Sequence, residues 1–231
     1  MNITALRSDD IYRRIIQLPQ AEKREAYREL MLAPFKKKWE IQQIPFRSEP
    51  PGGFDVMTLN DMMYLPAEQI GESMLEQVND ISSEGFWAEC WAVVTGSFAA
   101  FERQGISLPV QKIIFTVLLG NPASELLRIN EGYSGDGGIP GHILTVLTPN
   151  AYTLPRIYAA LAHECNHNVR YQFIRWDANV TLGELIVSEG LAENFAVSRC
   201  GEERLGPWVS KTDAQTLNRV VKPGTRSNRP L

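Results

Sequence analysis

Apolar residues recur at helical spacing across residues 9–33, at Ile11, Ile15, Ile16, Leu18, Tyr27, Leu30 and Met31, and Pro34 limits that run. The stretch RSEPPGGFD at 47–55 is rich in turn formers and marks a boundary between an N-terminal helical segment, 1–50, and the rest of the chain. Helical spacing returns from Pro66 to Gln104 in two pieces separated near SSEG at 82–85. The aromatic positions of the second piece, Phe86, Trp87, Trp91, Phe98 and Phe101, read as core. Then the period changes. QKIIFTVLL at 111–119 and HILTVLT at 142–148 are apolar and β-branched, the pattern of buried strands. Between them NEGYSGDGGIPG, 130–141, reads as a loop or an irregular strand edge. Two helices come next. One spans Leu154 to Phe173 with Thr153 as N-cap, and one opens on a capping box at Thr181 and Glu184 and stops at Gly201. Helices, a small sheet and two further helices make an α+β domain over 51–210.

Composition narrows the function classes. A net charge of −4 and a pI near 5.5 give no electrostatic basis for binding nucleic acid or an anionic membrane. The basic run KKK at 36–38 reads as a solvated helix end. Cys90, Cys165 and Cys200 form no CxxC pair, which suits reduced thiols in a cytoplasm. The opening MNITALRSDDIYRR has acids where a signal peptide needs an apolar core, and no apolar run approaches the roughly 18 residues of a membrane span. A soluble cytoplasmic protein is expected. The polar ending GTRSNRPL sets 211–231 apart as a tail, truncated or appended.

Candidate chemistry is concentrated in LAHECNHNVR, 161–170. On a helix His163 and His167 project about 40° apart, so both imidazoles can grip one metal ion. Glu164 points elsewhere, but near enough to reach a water on that metal as a general base. A catalytic zinc needs a third protein ligand and an open fourth position. The second helix offers Glu189 and Glu193, one turn apart within the apolar stretch LIVSEGLAENFAV. Buried carboxylates need partners, and a metal with its histidines would supply them. Glu189 is the expected ligand, and Glu193 would accept the free N–H of a ligand histidine. The opposite stripe, Val187, Leu191 and Phe195, is expected to pack. His142 ranks a distant second as third ligand, while Cys90, Cys165 and Cys200 have no spacing argument.

IYAALAHECNHNVRY followed by TLGELIVSEGLAENFA resembles the gluzincin arrangement, and more narrowly the YjaZ-like predicted zinc-dependent proteases. GGIPGHILTVLTPN and GEERLGPWV share that resemblance, which spans most of 110–210. It implies a zincin-like fold with a small mixed sheet, one zinc ion held by His163, His167 and Glu189, Glu164 as base, and Glu193 behind the ligands. It also implies a peptide or protein substrate held along the edge strand, by position at IPGHILTV. Gluzincins commonly place a Tyr or His after the third ligand to stabilise the oxyanion, and this chain has neither from Gly190 to Leu231. His142, Tyr133, Tyr171 and Arg170 are the remaining candidates. The expectation is a zinc metallopeptidase. The alternative is a weak or inactive zinc-binding protein serving as a peptide- or partner-binding module.

Overall fold

The N-terminal run is three helices rather than one. The computed structural model of the protein describes residues 1–210 apart from 176, 178 and 205, so the expected tail at 211–231 lies outside the described residues. Here α1 (Ser8–Ile16) ends before Pro19. α2 (Gln20–Tyr27) then passes through a π turn and a 3-10 turn around Pro34 into α3 (Lys36–Ile41). Each proline lacks a backbone donor and so interrupts the helical ladder. A short strand, β1 (Asn2–Ala5), precedes them; four residues carry too little periodicity to be read as a strand.

Three further helices lead to the sheet: α4 (Val56–Met63), α5 (Leu75–Asp80) and α6 (Glu84–Arg103). Asp55 and Thr58 close a capping box at the start of α4, and the Ser83 hydroxyl accepts the Phe86 N–H at the start of α6. Phe86, Trp87, Val94 and Phe98 of α6 are buried. Trp91 is not, at 47% exposed, which corrects its reading as core.

The sheet comprises β2 (Lys112–Leu119), β3 (Tyr133–Asp136) and β4 (His142–Leu147) together with β1, with the short helix α7 (Glu125–Ile129) before β3. The strand order is β1-β2-β4-β3. β1, β2 and β4 run parallel, and β3 pairs antiparallel with β4. The glycine-rich stretch therefore contributes the edge strand itself. β4 is an interior strand paired on both sides, which corrects the expectation that IPGHILTV forms the edge.

All six residues of β4 are buried, because helices cover both faces of the sheet. On one face the Tyr12 hydroxyl accepts the Leu119 N–H at 3.0 Å, and Phe35 lies beside His142. On the other, α8 (Thr153–Arg170) packs on β3 and β4, with α6 alongside it. α9 (Leu182–Cys200) packs on α8. The segments before and after the 47–55 loop share one hydrophobic cluster, so the N-terminal helices are part of the sheet's core. Ile157, Leu161, Cys165 and Val169 carry α8 into that cluster. Each large apolar side chain buried there contributes about 1.5–3 kcal/mol, and Leu161→Ala would cost about 2–5 kcal/mol.

Two surface assignments change. Lys38 is fully buried, not solvated: its ammonium meets Asp136 Oδ2 at 2.6 Å and Gln42 Oε1 at 2.8 Å, above the Trp39 ring. A local charge run cannot reveal a partner nearly a hundred residues away. On α9, Val187 and Leu191 of the expected packing stripe are 53% and 48% exposed, while Phe195 stacks on Phe101. None of the described helices is long and apolar enough to cross a membrane.

Candidate metal centre

α8 lies between the sheet and α9 and uses both of its sides. Toward α9 it presents alanines: Ala159 and Ala162 meet Ala196, and such small side chains let the helices approach closely. α9 holds its register through the capping box at Thr181 and Glu184, and Gly201 ends it at a φ of +95° that favours glycine. The close approach brings polar groups of the two helices within reach of one another.

His163 Nε2 and His167 Nε2 are 3.0 Å apart. Glu189 Oε2 lies 3.2 Å from the first nitrogen, and Glu189 Oε1 lies 3.4 Å from the second. One ligand atom from each of the three residues falls within 4.8 Å of the others. Donors about 2.0–2.1 Å from a tetrahedral zinc stand about 3.3 Å from each other, so the three fit that ion. The far side of each ring is also engaged. His163 Nδ1 lies 3.1 Å from Glu193 Oε2, while His167 Nδ1 lies 3.3 Å from the Ser188 hydroxyl, which in turn meets the Tyr171 hydroxyl at 2.8 Å. With Nδ1 donating outward, both Nε2 lone pairs face Glu189. Glu193 is itself fixed, its Oε1 accepting the Gly206 N–H at 2.6 Å.

The electrostatics describe a group built around positive charge. Burial disfavours the His163 imidazolium, yet Glu189 and Glu193 outweigh it and raise the pKa to about 10. Burial likewise opposes ionisation of Glu189, but His163 and His167 bring it down to about 2. A proton held among these groups occupies the role a metal ion takes, and metal binding would release it.

Glu164 faces the sheet instead. It is buried, and its Oε2 accepts the Gly137 N–H at 2.7 Å. Burial raises its pKa, with the two histidines opposing. Gly135 and Gly137 make room for it: a Cβ on Gly135 would stand 2.4 Å from Glu164 Oε1, and one on Gly137 would stand 2.3 Å from the Glu164 carbonyl oxygen.

A cavity of about 870 Å³ opens over these groups, walled by β3 on one side and by Leu185, Ile186 and Val209 on the other. Among the four oxyanion candidates, Tyr133 and Tyr171 line it. His142 and Arg170 do not; the His142 ring sits against Phe35 with Nδ1 3.2 Å from the Pro140 carbonyl. Cys90, Cys165 and Cys200 are free thiols outside the metal group. Sequence reasoning missed Ser188 and Asn168, each adjacent to a candidate ligand. Ser188 is fully buried next to Glu189, and a polar residue flanking a ligand on a helix was the available signal.

A family model described as Predicted Zn-dependent protease (DUF2268) matches residues 86–230. The chain belongs to that family. Every residue of the metal group, with Glu164 and Glu193, falls inside the matched stretch. A relative within reach of direct alignment is the "Uncharacterized protein YjfC" of Bacillus subtilis (strain 168). It is 31% identical over 218 residues, which are 94% of this chain and 72% of that protein. No solved structure matches the chain.

Proposed function

We propose that this member of the family is a zinc-dependent peptidase with a zincin-like site. The observation that carries the reading is the convergence of His163 Nε2, His167 Nε2 and a Glu189 oxygen within 4.8 Å, on the wall of a large cavity. Three protein ligands among the described residues, rather than four, suit a catalytic site with an open position. Zinc bound there would polarise a substrate carbonyl and bring the pKa of a coordinated water toward about 7.

The chain's own residues supply the rest. Glu164 holds its Oε2 against the Gly137 N–H, and its raised pKa suits a carboxylate that takes up a proton and delivers it to a leaving amine. Glu193 and Ser188 fix the two imidazoles so that neither ring turns. β3 stands at an edge of the sheet, where main-chain groups can pair with an extended peptide, and Tyr171, whose hydroxyl meets Ser188, lines the same cavity. A cytoplasmic site of action suits the three free thiols.

Elemental analysis of the purified chain should find about one zinc, as a single three-ligand site requires, and His163→Ala should abolish it. Glu164→Gln should retain the metal and lose cleavage of a generic peptide library. A zinc-free protein from zinc-replete medium overturns the reading. Zinc binding without any cleavage by the wild type supports the binding-module alternative instead.

A further inference from the structure

Asn168 sits directly after the second histidine and is fully buried. Among the described residues its side-chain hydrogen bonds run to the turn that joins β3 to β4 and to His142 at the start of β4. Oδ1 accepts the Gly141 N–H at 3.0 Å. Nδ2 lies 3.0 Å from the Gly137 carbonyl, 2.9 Å from that of Ile139 and 3.0 Å from that of His142. An amide nitrogen has two hydrogens, so three acceptors around it are served by one shared bond. One buried side chain thus reaches four backbone groups at this turn and at the start of β4.

Gly137 is the meeting point. Its N–H is held by Glu164 and its C=O by Asn168, and those two residues are one helical turn apart on the same face of α8. α8 grips both polar groups of a single residue with side chains at i and i+4. No Cβ fits at that residue, as the approach to the Glu164 backbone shows. The near end of the turn is tied from the other direction, where buried Lys38 meets Asp136.

We infer that Asn168 is a positioning residue for Glu164. It fixes the Gly137 peptide, so that the Gly137 N–H occupies Oε2 and fixes the carboxylate's rotation, with Oε1 turned to the Gly135 side. This rests on the peptidase reading for its catalytic meaning, but not for its geometry. Displacing a catalytic group by about 1 Å costs up to about a hundredfold in rate.

The test uses the zinc-loaded full chain and Asn168→Asp, which keeps an acceptor for Gly141 but loses every donor. Expected are unchanged zinc content, a kcat lower by about tenfold to a hundredfold, and a KM within about twofold of wild type. The Gly137 amide proton, hydrogen-bonded to Glu164 in wild type, should move upfield. Phe98→Leu, a destabilising change in α6, should leave kcat and the Gly137 signal unaltered. If Asn168→Asp does not fold, Asn168→Ser provides the same readouts. A wild-type kcat, an unmoved Gly137 signal, or loss of zinc each overturns the inference. If the wild type cleaves no peptide, the peptidase reading fails, and the Gly137 signal alone still decides whether Asn168 positions Glu164.

Discussion

His163 Nδ1 and Glu193 Oε2 stand 3.1 Å apart across the interface of α8 and α9. Both side chains are buried, and the second oxygen of Glu193 is taken by the Gly206 N–H. The carboxylate therefore ties a ligand imidazole to the turn just after α9. Glu193→Gln presents an amide in place of the carboxylate. The expected result is a zinc affinity lower by about tenfold to a hundredfold, read by competition with a chromophoric chelator. An unchanged affinity would mean that Glu193 does not orient the ring.

Lys38 and Asp136 form an unequal pair. The lysine is fully buried, and the aspartate side chain is 35% exposed. Lys38→Met leaves a carboxylate that water can reach, and should destabilise by about 1–3 kcal/mol. Asp136→Asn leaves a buried ammonium without its countercharge, facing an amide, Gln42 and the Trp39 ring among the described residues, and should cost about 3–5 kcal/mol. Urea titration of both variants gives the order. Equal losses would contradict the asymmetry.

His142 makes stability depend on pH. Burial lowers its pKa below the ordinary 6.5, and Lys38 and Lys37 add to that while the Pro140 carbonyl and Asp136 oppose it. As pH falls through about 6.5 the unfolded chain takes up a proton that the folded chain refuses, so stability declines until the folded imidazole titrates in turn. His163, whose raised pKa favours folding at the lower pH, opposes this, so the share due to His142 is isolated by difference. With chelator present, the urea midpoint of His142→Gln relative to wild type should be higher at about pH 5.5 than at about pH 7.5. The same relative midpoint at both pH values would assign the pH dependence elsewhere.

The outer face of α9 should be tolerant. Val187 is 53% exposed and belongs neither to the described core nor to the cavity wall. Val187→Ser should change stability by no more than about 0.5 kcal/mol. A loss above about 1 kcal/mol would show that another part of the chain, or a partner, covers this face.

Features with a local signature were legible in the sequence. The i, i+4 spacing of His163 and His167, the capping box at Thr181 and the acid pair on α9 all lie within one helix each, and helical geometry alone places their side chains. The α+β arrangement followed from the change of period between α6 and β2. Lys38 and Asn168 were not legible, for a common reason. Each depends on a partner distant in sequence, and for Asn168 that partner is backbone, which has no side-chain identity to read. The edge strand was one of the two readings of 130–141, loop or irregular strand edge. The exposed stripe of α9 failed differently, because an apolar pattern tells which face could be buried and not whether another surface covers it.

The pairing of β1 with β2 has a consequence for the order of assembly. Asn2 lies opposite Lys112, and the two strands run parallel. Such a pairing closes a very long loop, and contacts of that span form late and slow the search for the native state. The metal-site helices, by contrast, contact each other across a short connection between residues 170 and 182. During synthesis β1 leaves the ribosome long before its neighbour exists, an unpaired strand that must wait without aggregating. Its brevity, four residues with two of them exposed, is the property that makes the wait safe.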